Sequence, residues 1–356
     1  MKKTLLLLFL AGMYTGFAQT FTVGGISYTV TSATEVAVDA NNKTGFTGTT
    51  ANIPATVTNA SVTYNVTSFA IGAFATNTNI TSAVIPNSIT AIANGAFNGC
   101  TNLSNVTIPN GVTEIGNVSF QNTSLTSLTL PSSLTSIGNN TFKDCSELTN
   151  LTFPNAVTSI GNSSFNGCTG LTSVSLGNLQ STGISAFQGC TGLTSILIPN
   201  SITSLGNNTF SGCTGLTSIS VAQENPSNIA LGTTVFNGVN TLGCELKVPS
   251  AAAKTAYEAA DQWSAFSNIT VDTTLSISNE RNAILFSIHP NPASDILSIR
   301  LNRPTTLKSV TIYNALGQTV LQSRETEIGI GSLQSGIYLL SVKTLEGNAT
   351  KRFVKK

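Results

Sequence analysis

Charge is what this sequence has least of. Only 9 % of its 356 residues are Asp, Glu, Lys or Arg, against the ~25 % of an ordinary soluble chain. Acids and bases nearly balance, at 15 and 16. A nucleic-acid binder needs a basic footprint that displaces counterions, and none is present. There is one His, His289, so a His-based metal centre or triad has almost nothing to be built from. No run approaches 18 consecutive apolar residues, which excludes a span of the bilayer in the mature chain. The Gly-rich phosphate cradle G-x-x-x-x-G-K-[ST] is missing, and no two Cys stand at the C-x-x-C spacing of a zinc site. No cofactor is expected. Ser, Thr, Asn and Gly fill the space that charge leaves. Apolar residues still make up 40 %, and their regular placement excludes a disordered chain.

That regularity is a repeat. Phe recurs at Phe74, Phe97, Phe120, Phe142, Phe165, Phe187 and Phe210, in steps of 22 or 23. Pro keeps the same beat at Pro86, Pro109, Pro131, Pro154 and Pro199, with Gly177 in the missing slot. A 20–29-residue period is the signature of a stacked solenoid. In Leu216-Thr217-Ser218-Ile219-Ser220-Val221 the alternation predicts a one-sided strand. Pro then ends it, because it cannot donate to a ladder. A second apolar pair, such as Ile202 and Leu205, leads to the next Phe. No unit covers its own apolar face, so neighbours must stack. The pattern predicts one strand per coil and buried Phe rings on a common axis. Two steps are short, after Phe120 and after Gly177, and both losses fall in turns.

The ends differ from the middle. Lys2 and Lys3, the apolar Leu5–Leu10 and Gly16-Phe17-Ala18 read as a leader over 1–18, cut between Ala18 and Gln19. From Gln19 to Glu280 there are four Lys, no Arg and eleven acids; from Arg281 onward there are ten bases and four acids. This break predicts a domain boundary. The expected organisation is a leader at 1–18, a β-rich capping segment at 19–70, the solenoid at 71–240, a cap at 241–271, a linker at 272–283 and a terminal module at 284–356. Leu246–Pro249 followed by Ala251–Ala260 and Trp263 predicts a closing strand and a short helix, with Ser250 as N-cap. Turns at Asn291-Pro292, Gly317, Gly336 and Gly347 predict a small β-sandwich for the module.

Blocks such as Ala96-Phe97-Asn98-Gly99-Cys100, Ser164-Phe165-Asn166-Gly167-Cys168 and Thr209-Phe210-Ser211-Gly212-Cys213, each followed by an L-T-S-I/V-like strand, resemble the BspA-like leucine-rich repeats of bacterial surface proteins. The resemblance spans roughly 70–240. It implies a mainly β leucine-rich repeat solenoid and a role at the cell surface. The terminal module carries His289-Pro290-Asn291-Pro292-Ala293, Val310–Gln318, Gly336-Ile337-Tyr338-Leu339-Leu340-Ser341-Val342 and Lys351–Lys356. These resemble the C-terminal sorting domain of the Bacteroidetes type IX secretion system, with His289 where Tyr is commoner. That resemblance implies handling by the type IX machinery, passage across the outer membrane, removal of the domain, and release or surface attachment. It marks Pro290, Asn291, Pro292, Gly336, Tyr338, Lys355 and Lys356 as the sorting signal.

Reactive chemistry is hard to assemble from what remains. Cys100, Cys145, Cys168, Cys190 and Cys213 each follow a repeat Phe by three, a slot also filled by Asn77, Thr123 and Val239. A slot shared by such residues is a buried turn position rather than a nucleophile. Stacked coils bring these Cα atoms about 5 Å apart, within disulfide reach. The side chains should point the same way, so free thiols are expected, with pairing left open in an exported chain. Asp144 and Glu147 sit in one turn beside Lys143, which reads as a solvated turn rather than a catalytic carboxylate pair. Asp272-Thr273-Thr274 resembles an O-glycan acceptor of Bacteroidetes and reads more simply as linker.

The surface is the more promising feature. Stacking turns Thr126, Thr149, Thr172, Thr194 and Thr217 into one hydroxyl column and Thr129, Thr152 and Ser175 into another. A protein partner on host, matrix or neighbouring cells is the expected ligand, bound on this polar sheet face by a non-enzymatic adhesion protein. A passive surface component and a glycan-binding module are the alternatives. The columns lack the Tyr or Trp platform that glycans favour. Mixed Ser, Asn, Val84 and Leu197 make a poor lattice for ice.

Overall fold

The computed structural model describes residues 19–275, 286–301, 306–314, 318–344 and 348–356. The leader and most of the expected linker lie outside them. The chain divides into two compact units, one containing the chain up to 220 with 225–246 and 256–269, the other 221–224, 247–255 and 270–356.

The repeats form a solenoid with a front and a side column of parallel strands. The front column runs through Thr50–Asn52, Ser82–Val84 and Asn105–Thr107 as one three-stranded sheet. It resumes at Asn150–Thr152, Ser173–Ser175, Ser195–Ile198 and Ser218–Val221, in a six-stranded sheet that also takes in Glu245–Val248 and Asn268–Val271. Registers are in step, as in Leu151↔Val174 and Val174↔Ile196. The side column is a correction to the single strand expected per coil. It joins seven two-residue strands, from Ala91–Ile92 through Glu114–Ile115 to Ala230–Leu231. Five of them bury one apolar residue, among them Ile115, Ile137 and Ile160; Ser181–Thr182 buries Thr182 instead, and the terminal Ala230–Leu231 leaves Leu231 half-buried.

The repeat Phe rings form a continuous buried stack. From Phe74 to Phe210 successive centroids lie 5.2–5.8 Å apart with planes within 14°. Full burial of a ring stabilises by roughly 1.5–3 kcal/mol. Phe236 extends the stack at 6.1 Å. It is an eighth member that the period hid, because the segment around Pro226–Asn228 lengthens the step to 26 residues. Phe46 closes one end edge-on at 5.7 Å from Phe74. Trp263, 4.8 Å from Phe236, closes the other.

Two corners make the stacking tight. Beside each Phe the chain turns through left-handed residues two before and two after it, for instance Val118 and Asn122 around Phe120. At the other corner a Gly-Asn pair repeats. A Cβ on Gly138 would come within 2.6 Å of Asn117 N, so only glycine fits. The Asn that follows carries the coil contact. Asn117 Oδ1 accepts from Asn139 N, and Asn139 Oδ1 from Asn162 N, both at 2.7 Å.

The caps use different means. The N-terminal sheet has the order Thr20–Val23, Ile26–Val30, Glu35–Val38, Val62–Phe69, Thr56–Asn59. The expected helix forms at Ala251–Glu258, and Ser250 Oγ accepts from Ala253 N at 3.0 Å. In the terminal module one sheet holds Phe286–His289, Ile296–Leu301 and Glu327–Gly329; the other holds Thr319–Ser323, Leu307–Tyr313, Gly336–Thr344 and Asn348–Lys355. Both contribute to one core, including Phe286, Leu297, Val310, Leu340 and Phe353. Gly336 begins a strand there rather than making a turn. Gly317 and Gly347 lie outside the described residues.

Candidate functional site

The two hydroxyl columns differ in their bonding. Thr149, Thr172, Thr194 and Thr217 are exposed, yet each hydroxyl donates to the backbone carbonyl of its counterpart one coil earlier, at 3.1–3.5 Å. Thr81 and Ser104 do the same. These hydroxyls fasten coils. Thr126 departs from them: its amide reaches Ser104 O at 3.4 Å as the others reach theirs, but its hydroxyl has no hydrogen-bond partner among the described residues. The other column is open. Thr107, Thr129, Thr152 and Ser175 are exposed, and their hydroxyls have no hydrogen-bond partner among the described residues. Between the columns Ser173 Oγ donates to Asn150 Oδ1 at 2.6 Å, holding that amide in place. Sequence reasoning grouped both columns as one face; the structure separates a fastening column from an available one.

The face is also uneven along its length. Where the coil of Leu125–Leu130 should supply a front strand, there is none, and a groove of about 480 Å³ opens in its place. Ser127, Leu128 and Thr129 line one side and Asn150, Thr152 and Pro154 the other. No lining residue is ionisable. The size falls in the usual range for ligand clefts. The signal lay in the sequence. Phe120 and Leu125 are five apart, where Phe97–Leu103 and Phe142–Leu148 are six apart. The short turn that spares the strand in the repeat pattern displaces it in space.

The thiols are not a reactive set. All six are buried and unpaired. Cys100, Cys145, Cys168, Cys190 and Cys213 each donate to the carbonyl of the Phe one coil earlier, at 3.0–3.2 Å. Burial pushes Cys100 up to about 12 and Cys145 up to about 11. A nucleophilic thiol needs the opposite shift. The shared slot is a buried one, and every polar occupant spends its donor on a backbone carbonyl, while Val239 fills it with an apolar side chain. Thr123 Oγ1 gives its hydrogen bond to Phe120 O, and Asn77 Nδ2 bonds the carbonyls of Asn42 and Phe46. Asp144 and Glu147 are exposed on the turn, and Ser146 Oγ meets Glu147 Oε1 at 3.5 Å. No His, Cys, Asp or Glu group among the described residues could hold a metal ion. Asp272 Oδ1 accepts from Thr274 N and Oγ1, which lowers its pKa.

In the terminal module most of the expected sorting residues converge. Asn291 Oδ1 accepts from Val354 N at 2.9 Å, and Ala293 exchanges backbone bonds with Val354 and Lys356. Gly336 is in register with Lys355. Tyr338 stacks 5.6 Å from Phe353 and donates its hydroxyl to Gln334 O. Lys355 is buried, with its ammonium on Lys356 O at 2.6 Å. Pro290 and Pro292 are exposed beside this junction.

This geometry meets known proteins at two places. The BspA type Leucine rich repeat region matches in six copies over 67–190 and 135–260. The chain belongs to that family. A second match, the Secretion system C-terminal sorting domain, covers 287–356. Among solved structures, a leucine-rich repeat protein from Bacteroides ovatus ATCC 8483 is 22 % identical, with 71 % of this chain and 76 % of that one covered and a TM-score of 0.40. The T. pallidum leucine rich repeat protein TpLRR is 23 % identical over 62 % of this chain and 89 % of that one, with a TM-score of 0.44. The pneumococcal vaccine antigen PcpA is 15 % identical over 72 % and 99 %, with a TM-score of 0.30. No curated protein matches the chain. The sorting domain directs this BspA-type protein through type IX secretion to the cell surface or beyond. Leucine-rich repeats of this kind are a non-enzymatic fold class. No helix among the described residues is long and apolar enough to cross a membrane.

Proposed function

We propose that this protein is a displayed adhesion scaffold that binds a protein partner on host, matrix or neighbouring cells, through the polar front face of its repeats. The observation that carries this is the open column, Thr107, Thr129, Thr152 and Ser175, whose exposed hydroxyls no neighbour uses. An extended face built from stacked coils is the surface such solenoids use in recognition. The near absence of charge gives it selectivity by hydrogen-bond pattern, since a charged partner group would lose hydration there without an opposite charge in return. No side chain on this face supplies a nucleophile or a general base, and the protein acts by binding without turnover.

The test is adhesion of beads carrying the exported chain to a panel of matrix proteins, epithelial cells and bacterial cells. Saturable capture is expected. Thr152→Lys and Ser175→Lys should abolish it, and Ser159→Lys, at an exposed position of the side column, should leave it intact. Capture unchanged by the first two overturns this assignment; capture of nothing on the panel supports a passive coat.

A further inference from the structure

The break in the front sheet has properties that the rest of the face lacks. Ser127–Leu130 stands where a strand belongs, between Asn105–Thr107 and Asn150–Thr152. None of its four amides and four carbonyls has a hydrogen-bond partner among the described residues. One coil on, Asn150, Leu151 and Thr152 pair with Ser173, Val174 and Ser175. Leu128 is affected too. Its counterparts Val106 and Leu151 are buried, while Leu128 is half-exposed in the groove. The missing residue between Phe120 and Leu125 accounts for both, since a shorter turn cannot bring the strand to the level of its neighbours.

Backbone groups left open at strand spacing are a template for another extended chain. We propose that Ser127–Leu130 is the seat of the partner: the groove takes an extended, uncharged peptide segment that hydrogen-bonds to the open amides and carbonyls. This rests on the assignment of the polar face as the recognition surface. The segment sets an apolar side chain against Leu128 and presents hydroxyls or amides to Thr129 and Thr152. An ionised side chain is disfavoured because nothing ionisable lines the groove. A peptide fits better than a neutral sugar. The groove is lined by a segment whose backbone amides and carbonyls are unpaired among the described residues, and by no exposed aromatic ring on which a sugar could stack.

Hydrogen exchange on the exported chain tests this, with a library of terminally blocked hexapeptides of Ser, Thr, Asn and Val and, separately, neutral glucose hexasaccharides as probes. Amides of 127–130 should exchange fast in the free chain and at least tenfold more slowly with the best peptides. Thr129→Pro removes one open amide and should weaken those peptides at least tenfold. Leu128→Asp, which keeps every backbone group, should do the same if the proline variant fails to fold. Slow exchange in the free chain, protection by no peptide, or protection by the sugars alone would each overturn the proposal. If Ser175→Lys abolishes bead capture while no peptide protects 127–130, the recognition face stands and its seat in this groove falls.

Discussion

The repeat span and the terminal module solve the same problem by different rules. In the repeats, a residue's environment is set by its counterparts 22 or 23 positions away. Phe meets Phe, Thr meets the carbonyl of Thr, and Asn meets the amide of Asn. Between residues 70 and 220 only four residues carry charge, because each coil is sandwiched and like charges would stack in columns. The module instead closes two sheets on one core, and its many bases lie on strands of mixed partners. Lys351, for instance, sits 5.3 Å above the Phe286 ring. Order by periodicity makes the repeats sensitive to size and backbone geometry at each coil. Order by a single core makes the module sensitive mainly at that core.

The largest break in this comparison is a ring deletion. Phe142 is fully buried between Phe120 and Phe165. Phe142→Ala should destabilise the repeat span by about 3–5 kcal/mol. Urea denaturation followed by hydrogen exchange should show the loss in residues 71–240, with the exchange of 307–344 unchanged. Phe353→Ala should do the reverse. Equal loosening of both regions by either variant would mean that they do not order separately.

Alkali should separate the two regions next. No Cys lies beyond Cys244. Burial holds Cys100 and Cys145 at about 12 and 11 when folded, against about 8.5 in an unfolded chain. These thiols have a raised folded pKa, so their contribution is complete below about pH 8.5 and is lost as pH rises toward 11, because the unfolded chain sheds protons that the folded one keeps. Together they should lower repeat stability by about 3 kcal/mol per pH unit in that window. Cys168 and Cys190 add in the same direction, Cys168 by burial and Cys190 by its hydrogen bond with Cys213 and then burial. Urea midpoints at pH 8 and pH 10 measure this. The variant with both Cys100→Ala and Cys145→Ala should show a shallower fall.

Glycine gives a smaller contrast. Gly138→Ala puts a methyl against the backbone of Asn117 and Gly116. Overpacking of this kind should cost about 1–3 kcal/mol. Gly329 in the module has open space around it, and Gly329→Ala should change stability by no more than about 0.5 kcal/mol. Thermal unfolding of the two variants makes the comparison.

What could be read from the sequence follows the same division. Phe, Pro and the one-sided strand announced the front of each coil, because an apolar residue every 22 or 23 positions leaves no other way to bury itself. The side column escaped notice because its strands are two residues long, too short for alternation to register. Phe236 escaped because an insertion broke the beat. The different roles of Thr149 and Thr152 could not be seen at all, since both are polar, exposed and three apart. Which hydroxyl faces a carbonyl depends on where the next coil lies. The groove was announced by a lost residue whose effect appears only when the coils are stacked.

The smallest effect should be a gain. Val118 holds φ +51°, a left-handed conformation that suits a β-branched residue poorly. The equivalent places before Phe74 and Phe97 are Gly72 and Gly95, also left-handed, and before Phe142 the place is Asn140. Such a backbone costs an ordinary L-residue roughly 1–2 kcal/mol. The strain persists because the amide of Val118 is tied to Asn139 O at 2.9 Å and Phe120 N to Thr141 O, so the corner cannot relax without giving up the coil contact. Val118→Gly removes the strain and adds backbone entropy to the unfolded chain, two opposed terms. Val118→Asn tolerates the left-handed state without that second term. Asn should therefore stabilise the repeats by about 1 kcal/mol and Gly by less, read as shifts in urea midpoint. If both variants lower the midpoint, the half-buried valine side chain stabilises the corner by more than its backbone strain costs, and the periodic geometry is less exacting at this corner than at Gly138.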